Sequence, residues 1–301
     1  MKKLLAVAFV LLLAACQPNT TAVKATQQNT YTPSFVVDYQ KCGTDPSISG
    51  SAVTFGTGSA CAAGRVIATQ AYKNITQITA TIDLSKMSQN FVNASFYMVS
   101  NPNNPATQPK GSNYCDAGGN NTQWNCREID MLETNGNKIT QTTLHLGDGG
   151  INGSQRFEYS FASTANNSCY NYSTMTASPT ATNGLHSMVG IIDMTKPFDM
   201  TTTFTYGTTP RMVTVYSQNG QSVTVYDSSV GTGAEGSGTV NMADLVTSMA
   251  NGYWLTLSLW QGYSPKGPGS APWWNDSCPW GAECGTNAGY WGISNIRVTA
   301  D

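Results

Sequence analysis

Charge is what this chain has least of. Only 11% of its 301 residues are Asp, Glu, Lys or Arg, and the formal net charge is -2. No basic patch stands out, which argues against a nucleic-acid partner. A neutral polysaccharide suits this balance, because it asks for hydrogen bonds and aromatic faces rather than opposite charge. Histidine is scarcer still, with His145 and His186 the only two. Without a His cluster or a C-x-x-C pair there is no zinc-ligand spacing, and neither metal nor cofactor is expected. Long hydrophobic runs are missing too. The longest apolar run, Leu4 to Leu13, is too short for a membrane span. Between Phe35 and Asp301 there is no second linker and no repeat, so a single domain is expected.

What is present begins with a targeting segment. Lys2 and Lys3 precede the apolar run, and Leu13-Ala14-Ala15-Cys16 follows it. This resembles the lipobox of bacterial lipoproteins, in which Cys16 becomes the lipidated first residue. The other reading is an ordinary secretory signal cut nearby. Either way the mature protein is exported, at the cell envelope or secreted. Acylated Cys16 would anchor it to a membrane without spanning. Residues 1–15 are then signal peptide. Residues 16–32, rich in Gln, Thr and Asn, read as a flexible tether. The domain runs over 33–301 and is expected to act as a monomer.

Of eight cysteines, Cys16 set aside, seven remain. In an exported protein these are read as disulfides rather than ligands. Cys278 and Cys284 can close a small loop, Cys42 and Cys61 are near in sequence, and an odd count leaves one over, with Cys169 the candidate.

The body consists of short β-branched and aromatic runs broken by Gly, Asn and Pro. Val66–Ala68, Ile78–Ile82, Ser95–Val99 and Val213–Tyr216 read as strands. Asn219-Gly220 ahead of Gln221–Tyr226 is a hairpin signal. Met242 to Met249 is the one helix candidate. In Tyr253–Trp260, Tyr253, Leu255, Leu257 and Leu259 alternate with Trp254, Thr256, Ser258 and Trp260. One face is therefore apolar and the other polar with two indoles, as a sugar-binding cleft requires. The pattern predicts an all-β sandwich or jelly roll of two antiparallel sheets.

The sharpest signal is Glu128-Ile129-Asp130-Met131-Leu132-Glu133. Glu128 and Asp130 share one strand face while Ile129 and Met131 point to the core. Glu133, an odd number of residues from Glu128, would face the wrong way in a regular strand. A β-bulge near Met131–Leu132 would return it to the acidic face. The two Glu positions then stand roughly 13 Å apart at ~3.3 Å per residue. On a concave sheet their carboxyls can close to ~5–5.5 Å, the separation of a retaining glycosidase. One Glu attacks the anomeric carbon and the other, protonated, assists the leaving oxygen; Asp130 orients the nucleophile. The competing reading is a charged strand edge that resists aggregation.

With these residues in view, the chain resembles the retaining glycoside hydrolases of the clan that holds families 7 and 16. Both carry E-x-D-x-x-E on a bulged strand of a concanavalin-like β-jelly roll. The surroundings look more like family 7. Asn113-Tyr114-Cys115-Asp116 is similar to its G-Y-C-D, and Cys126-Arg127-Glu128 to its C-x-E. Asn93–Ser100, Leu257-Ser258-Leu259-Trp260 and Ser294–Arg297 resemble further family strands, in the family's order. The resemblance implies Glu128 as nucleophile, Asp130 as its helper, Glu133 as acid/base and a concave sheet as the glycan cleft. It also implies a Cys115–Cys126 disulfide, and places His145 near the acid. Trp260 is expected to stack on a sugar, with Trp124 and His145 as further cleft candidates. The chain is shorter than typical family 7 enzymes, and Gln261 stands where the family tends to have Asp. Tunnel-forming loops and processive action are therefore not expected.

The function expected is endo-acting, retaining cleavage of a β-glucan: β-1,4-linked, or else β-1,3 or mixed. Two other classes compete, a glycan-binding surface lipoprotein on the same scaffold and a structural or adhesive coat protein.

Overall fold

The computed structural model describes residues 28–42, 46–56, 63–87, 92–100, 127–135, 139–145, 155–161, 185–229, 242–261 and 290–301. In chain order the strands are β1 (Asn29–Tyr31), β2 (Phe35–Cys42), β3 (Ser47–Ser49), β4 (Ala52–Gly56), β5 (Ala63–Ala68), β6 (Gln77–Asp83), β7 (Val92–Ser100), β8 (Glu128–Asn135), β9 (Ile139–His145), β10 (Gln155–Phe161), β11 (Leu185–Ser187), β12 (Phe198–Thr205), β13 (Arg211–Gln218), β14 (Gln221–Asp227), β15 (Tyr253–Gln261) and β16 (Tyr290–Ala300). One short helix, α1 (Met242–Ser248), runs into a 3-10 turn at Met249–Asn251 just before β15. Among the described residues no helix is long and apolar enough to cross a membrane.

The strands form two sheets. One has the order β14-β13-β12-β6-β16-β4-β3, with β1 also paired to β16; the other has β11-β10-β9-β8-β7-β15-β5-β2. Neighbours are antiparallel, with β10–β11 the parallel exception among the described pairs. The inner faces meet in one core, to which β6 gives Ile78, Ala80 and Ile82, β7 gives Ala94, Phe96 and Met98, and β15 gives Tyr253, Leu255, Leu257 and Leu259. Each Ile, Leu, Phe or Met among these, fully removed from water, contributes about 1.5–3 kcal/mol before entropy is counted. Phe55 and Trp291 stack inside it with centroids 5.4 Å apart. This is the expected all-β jelly-roll sandwich.

Local chemistry explains several joins. Asn219 and Gly220 both have positive φ, 52° and 78°, the two-residue turn that matches the twist of β13 and β14. The expected helix forms over nearly its predicted span. The tether boundary differs: Asn29–Tyr31, assigned to it by composition, is a strand paired with Val298–Ala300 of β16. Its three residues carry no apolar alternation, so only the partner strand reveals it. Residues 1–27, with the signal and Cys16, lie outside the described residues. So do Trp124, Cys61, Cys115, Cys126, Cys169, Cys278 and Cys284.

At the edge of the second sheet among the described residues, β2 shifts register against β5 twice, between Val37 and Tyr39 and between Gln40 and Cys42. The first shift makes Asp38 the extra residue. Its Oδ2 accepts from Arg65 Nε at 2.7 Å and lies 2.6 Å from Arg65 Nη2, with the Asp38 side chain only 1% exposed.

Candidate active site

Strand β8 carries the acidic motif. Against β7 its register jumps from Asp130–Tyr97 to Leu132–Phe96, and against β9 from Asp130–Thr143 to Glu133–Gln141. Met131 is therefore the additional residue, and the bulge stands where parity requires it. Ile129, Met131 and Leu132 all lie in the core at 0% exposure. Thr142 Oγ1 donates to the carbonyl of Met131 at 3.2 Å, giving a partner to a backbone acceptor on the bulge. Glu133 is thereby brought to the face that carries Glu128 and Asp130.

Directly opposed residues on neighbouring strands share a face. Gln141, Glu133, Ser95, Ser258 and Arg65 form one row across β9, β8, β7, β15 and β5. Thr143, Asp130, Tyr97, Thr256 and Ile67 form the next. His145, Glu128, Val99 and Trp254 form a third. Tyr97, Val99 and Ile67 are buried yet stand apart from the inter-sheet core, since they sit on this other face. Trp260 lies on β15 at the position opposite Asn93.

The three carboxyls sit in different surroundings. Asp130 is buried, and a side-chain hydrogen bond joins it to Glu128. Burial, and then the charge of Glu133, push its carboxyl well above the usual range, against the opposing effect of the Glu128 hydrogen bond. Two carboxyls joined by one hydrogen bond share a proton, and burial favours the protonated form of Asp130. On the other side, His145 Nε2 lies 3.2 Å from Asp130 Oδ2. Tyr97, which hydrogen-bonds Ser258, has its hydroxyl pushed above its ordinary value by burial and then by the Glu128 charge. Glu133 is half-buried and takes three hydrogen bonds. Asn93 Nδ2 donates to Oε1 at 2.9 Å; Gln141 Nε2 and Thr143 Oγ1 donate to Oε2 at 2.8 and 2.7 Å.

The start of β8 is clamped. Ser100 N–H donates to the carbonyl of Arg127 at 2.8 Å, and Arg127 N–H to Ser100 Oγ at 2.9 Å. The Arg127 guanidinium grips Asp244 of α1 through Nε at 3.0 Å and Nη2 at 2.9 Å. This fixes the backbone immediately before Glu128. Among the described residues no group of three or more His, Cys, Asp or Glu is arranged for a metal ion.

The site thus assembles Glu128, Asp130, Glu133 and His145 from the expected set. Sequence reasoning missed Asn93, Ser95, Tyr97, Gln141, Thr143 and Arg65. In β7 a signal was available: Asn93, Ser95 and Tyr97 alternate with Ala94, Phe96 and Met98, as β15 alternates. In β9 there was none, because polar residues fill both faces.

Asp130 leads to a pH prediction. In the unfolded chain it titrates near 3.9, and in the folded chain higher. The unfolded state loses its proton first, so native stability falls as pH rises from about 4 through the folded value. Asp130→Asn removes that dependence. The melting temperature of the variant relative to the native protein is expected to climb from pH 4 toward neutrality. A difference that stays flat with pH would show that Asp130 titrates as an ordinary carboxyl.

None of the known family models matches the chain, and no curated protein matches it in sequence. Solved structures do match. An endoglucanase I complexed with cellobiose superposes with a TM-score of 0.52 at 14% identity, over 84% of this chain and 77% of the other. A double mutant of the Humicola insolens endocellulase EGI gives 0.54 at 15% identity, over 85% and 77%. The native form of that endocellulase gives 0.50 at 14%, over 83% and 76%. At such identities the likeness is one of fold: this chain has the jelly roll of these proteins over most of its length.

Proposed function

We propose that this chain is a retaining, endo-acting β-glucanase working by double displacement. The observation that carries the reading is the single-residue bulge at Met131, which places Glu133 beside Glu128 and Asp130 on one polar sheet face. A merely solvated acidic edge needs no such arrangement, and β8 is no edge strand, since it lies between β7 and β9. The endoglucanase fold supports it.

The proposed roles are these. Glu128, acting as a carboxylate and hydrogen-bonded to Asp130, attacks the anomeric carbon. The C1–O bond to the leaving sugar breaks, and Glu133 delivers its proton to that oxygen. Glu133, now a carboxylate, takes a proton from water, whose oxygen displaces Glu128 and releases a product of unchanged configuration. Asp130 keeps negative charge from accumulating beside Glu128. The polar rows across β7, β15 and β5 supply hydrogen bonds to sugar hydroxyls, and Trp260 a flat apolar face. The substrate proposed is β-1,4-glucan, with β-1,3 and mixed-linkage glucans as the other members of the class. Export, and a lipid anchor on Cys16, belong to the same proposal and rest on the leader sequence.

The test is a panel of soluble β-1,4-, β-1,3- and mixed-linkage glucans, assayed for new reducing ends. Release of a ladder of short oligosaccharides from at least one is expected. Binding to glucan without any new reducing ends would replace the hydrolase by a glycan-binding protein.

A further inference from the structure

Glu133 is not held symmetrically. Among the described residues its Oε2 receives two donors, the Gln141 amide at 2.8 Å and the Thr143 hydroxyl at 2.7 Å, while Oε1 receives one, the Asn93 amide at 2.9 Å. The two donors on Oε2 are themselves linked, since Gln141 Nε2 also donates to Thr143 Oγ1 at 2.6 Å. The three groups close a triangle of hydrogen-bonding atoms. The Gln141 NH2 faces both oxygens, and Thr143 passes its own O–H to Glu133.

Gln141 holds this place at a cost. The residue is 2% exposed, and its Oε1 is buried with no hydrogen-bond partner among the described residues. An apolar side chain of similar volume would avoid that orphaned carbonyl. A buried glutamine that leaves one end unsatisfied while its other end grips a reactive carboxyl has a role in that grip.

We propose that Gln141 is a positioning residue that readies Glu133 as a proton donor, by keeping Oε2 an acceptor and confining the transferable proton to Oε1. An amide N–H can only donate. While it points at Oε2, a proton on that oxygen would face two donors, whereas Oε1 faces one. The Asn93 end is also the adaptable one. Asn93 Oδ1 accepts from Ser95 Oγ at 2.8 Å, and reversal of that hydroxyl lets the Asn93 amide turn and accept from a protonated Oε1. In the first chemical step the proton leaves Oε1 for the glycosidic oxygen as the C1–O bond breaks and Glu128 closes its bond to C1. Glu133 is left ionised, with all three donors satisfied.

The inference rests on the proposed hydrolase reading, and the experiment separates the two. Gln141→Met keeps the volume and removes the donors. For kcat/KM on an unactivated β-glucan we expect a fall of roughly tenfold to a hundredfold, since general acid assistance is what is lost. On a 2,4-dinitrophenyl glycoside, whose leaving group needs no proton, the loss should shrink to within about twofold. The melting temperature should be unchanged or higher, because the orphaned carbonyl is gone. Equal losses on both substrates, or none on either, would overturn the positioning role while leaving the hydrolase in place. A native chain inactive on both substrates would overturn the hydrolase reading and this inference with it. Should Gln141→Met fail to fold, Thr143→Val removes the other donor on Oε2. A loss confined to the unactivated substrate then supports the inference, and an equal loss on both refutes it.

Discussion

Glu128→Gln is expected to abolish hydrolysis of every glucan the native chain cleaves, lowering turnover by roughly 10⁴-fold or more, the scale on which loss of one member of a reacting unit acts. The amide matches the carboxylate in shape and can keep the hydrogen bond to Asp130. What it lacks is the charge that makes the oxygen a nucleophile. The residue is 9% exposed and its neighbours are unchanged, so the fold should persist. Glucan binding measured on this variant should therefore survive. Turnover retained at the native level would remove Glu128 from the mechanism; loss of turnover together with loss of the folded state would leave the roles to be read from Glu133.

Glu133→Gln should behave quite differently, because the defect depends on the substrate. On unactivated glucan the rate should fall by roughly 10²- to 10⁴-fold, the usual worth of a positioned proton donor. On an activated aryl glycoside the first step should proceed, and the glycosyl-enzyme should then accumulate for want of a base. Azide needs no base, so it should restore turnover and yield a β-glycosyl azide after two inversions. The surroundings favour a clean variant. The new amide can turn its oxygen toward the two donors at the Oε2 position and its NH2 toward Asn93, whose own amide can flip. Proton NMR of the first sugar released by the native chain decides the stereochemistry. An α product from a β-glucan would mean inversion, and the roles given to both Glu128 and Glu133 would have to be abandoned.

How much of this could be read from the sequence depended on whether the determining contact was local. In β15 and in the first half of β8, period-two alternation is a property of neighbouring residues, and it assigned Ile129, Leu255 and Leu257 to the core correctly. The bulge was legible by parity: an acid on the wrong face of a strand invites one extra residue, and Met131 is that residue. The Asn219-Gly220 turn was legible because only a few residue types accept positive φ at both positions. Strand β9 was not. Thr140, Gln141, Thr142 and Thr143 are polar on both faces and all buried, two of them serving Glu133 and one the Met131 carbonyl. Alternation cannot distinguish such faces, so the donors that β9 gives Glu133 stayed hidden. Strand β1 and the order β8-β7-β15-β5 were hidden for another reason. They depend on pairings between segments far apart in the chain, which no local pattern records.

The doubly bulged β2 has a bearing on solubility. A free sheet edge offers unpaired N–H and C=O groups to any passing strand, and Val36 and Val37 there are 47% and 44% exposed. Surface charge is the common deterrent to such self-association, and this chain has little to spare. Two register slips interrupt the straight hydrogen-bonding ladder a second copy would need, and Asp38, turned inward onto Arg65, puts a charge pair where a flat edge would otherwise be. Colloidal stability at this edge thus depends on backbone irregularity more than on net charge. Straightening β2 would make the protein stickier, and would disturb the Asp38–Arg65 pair that reaches the polar face.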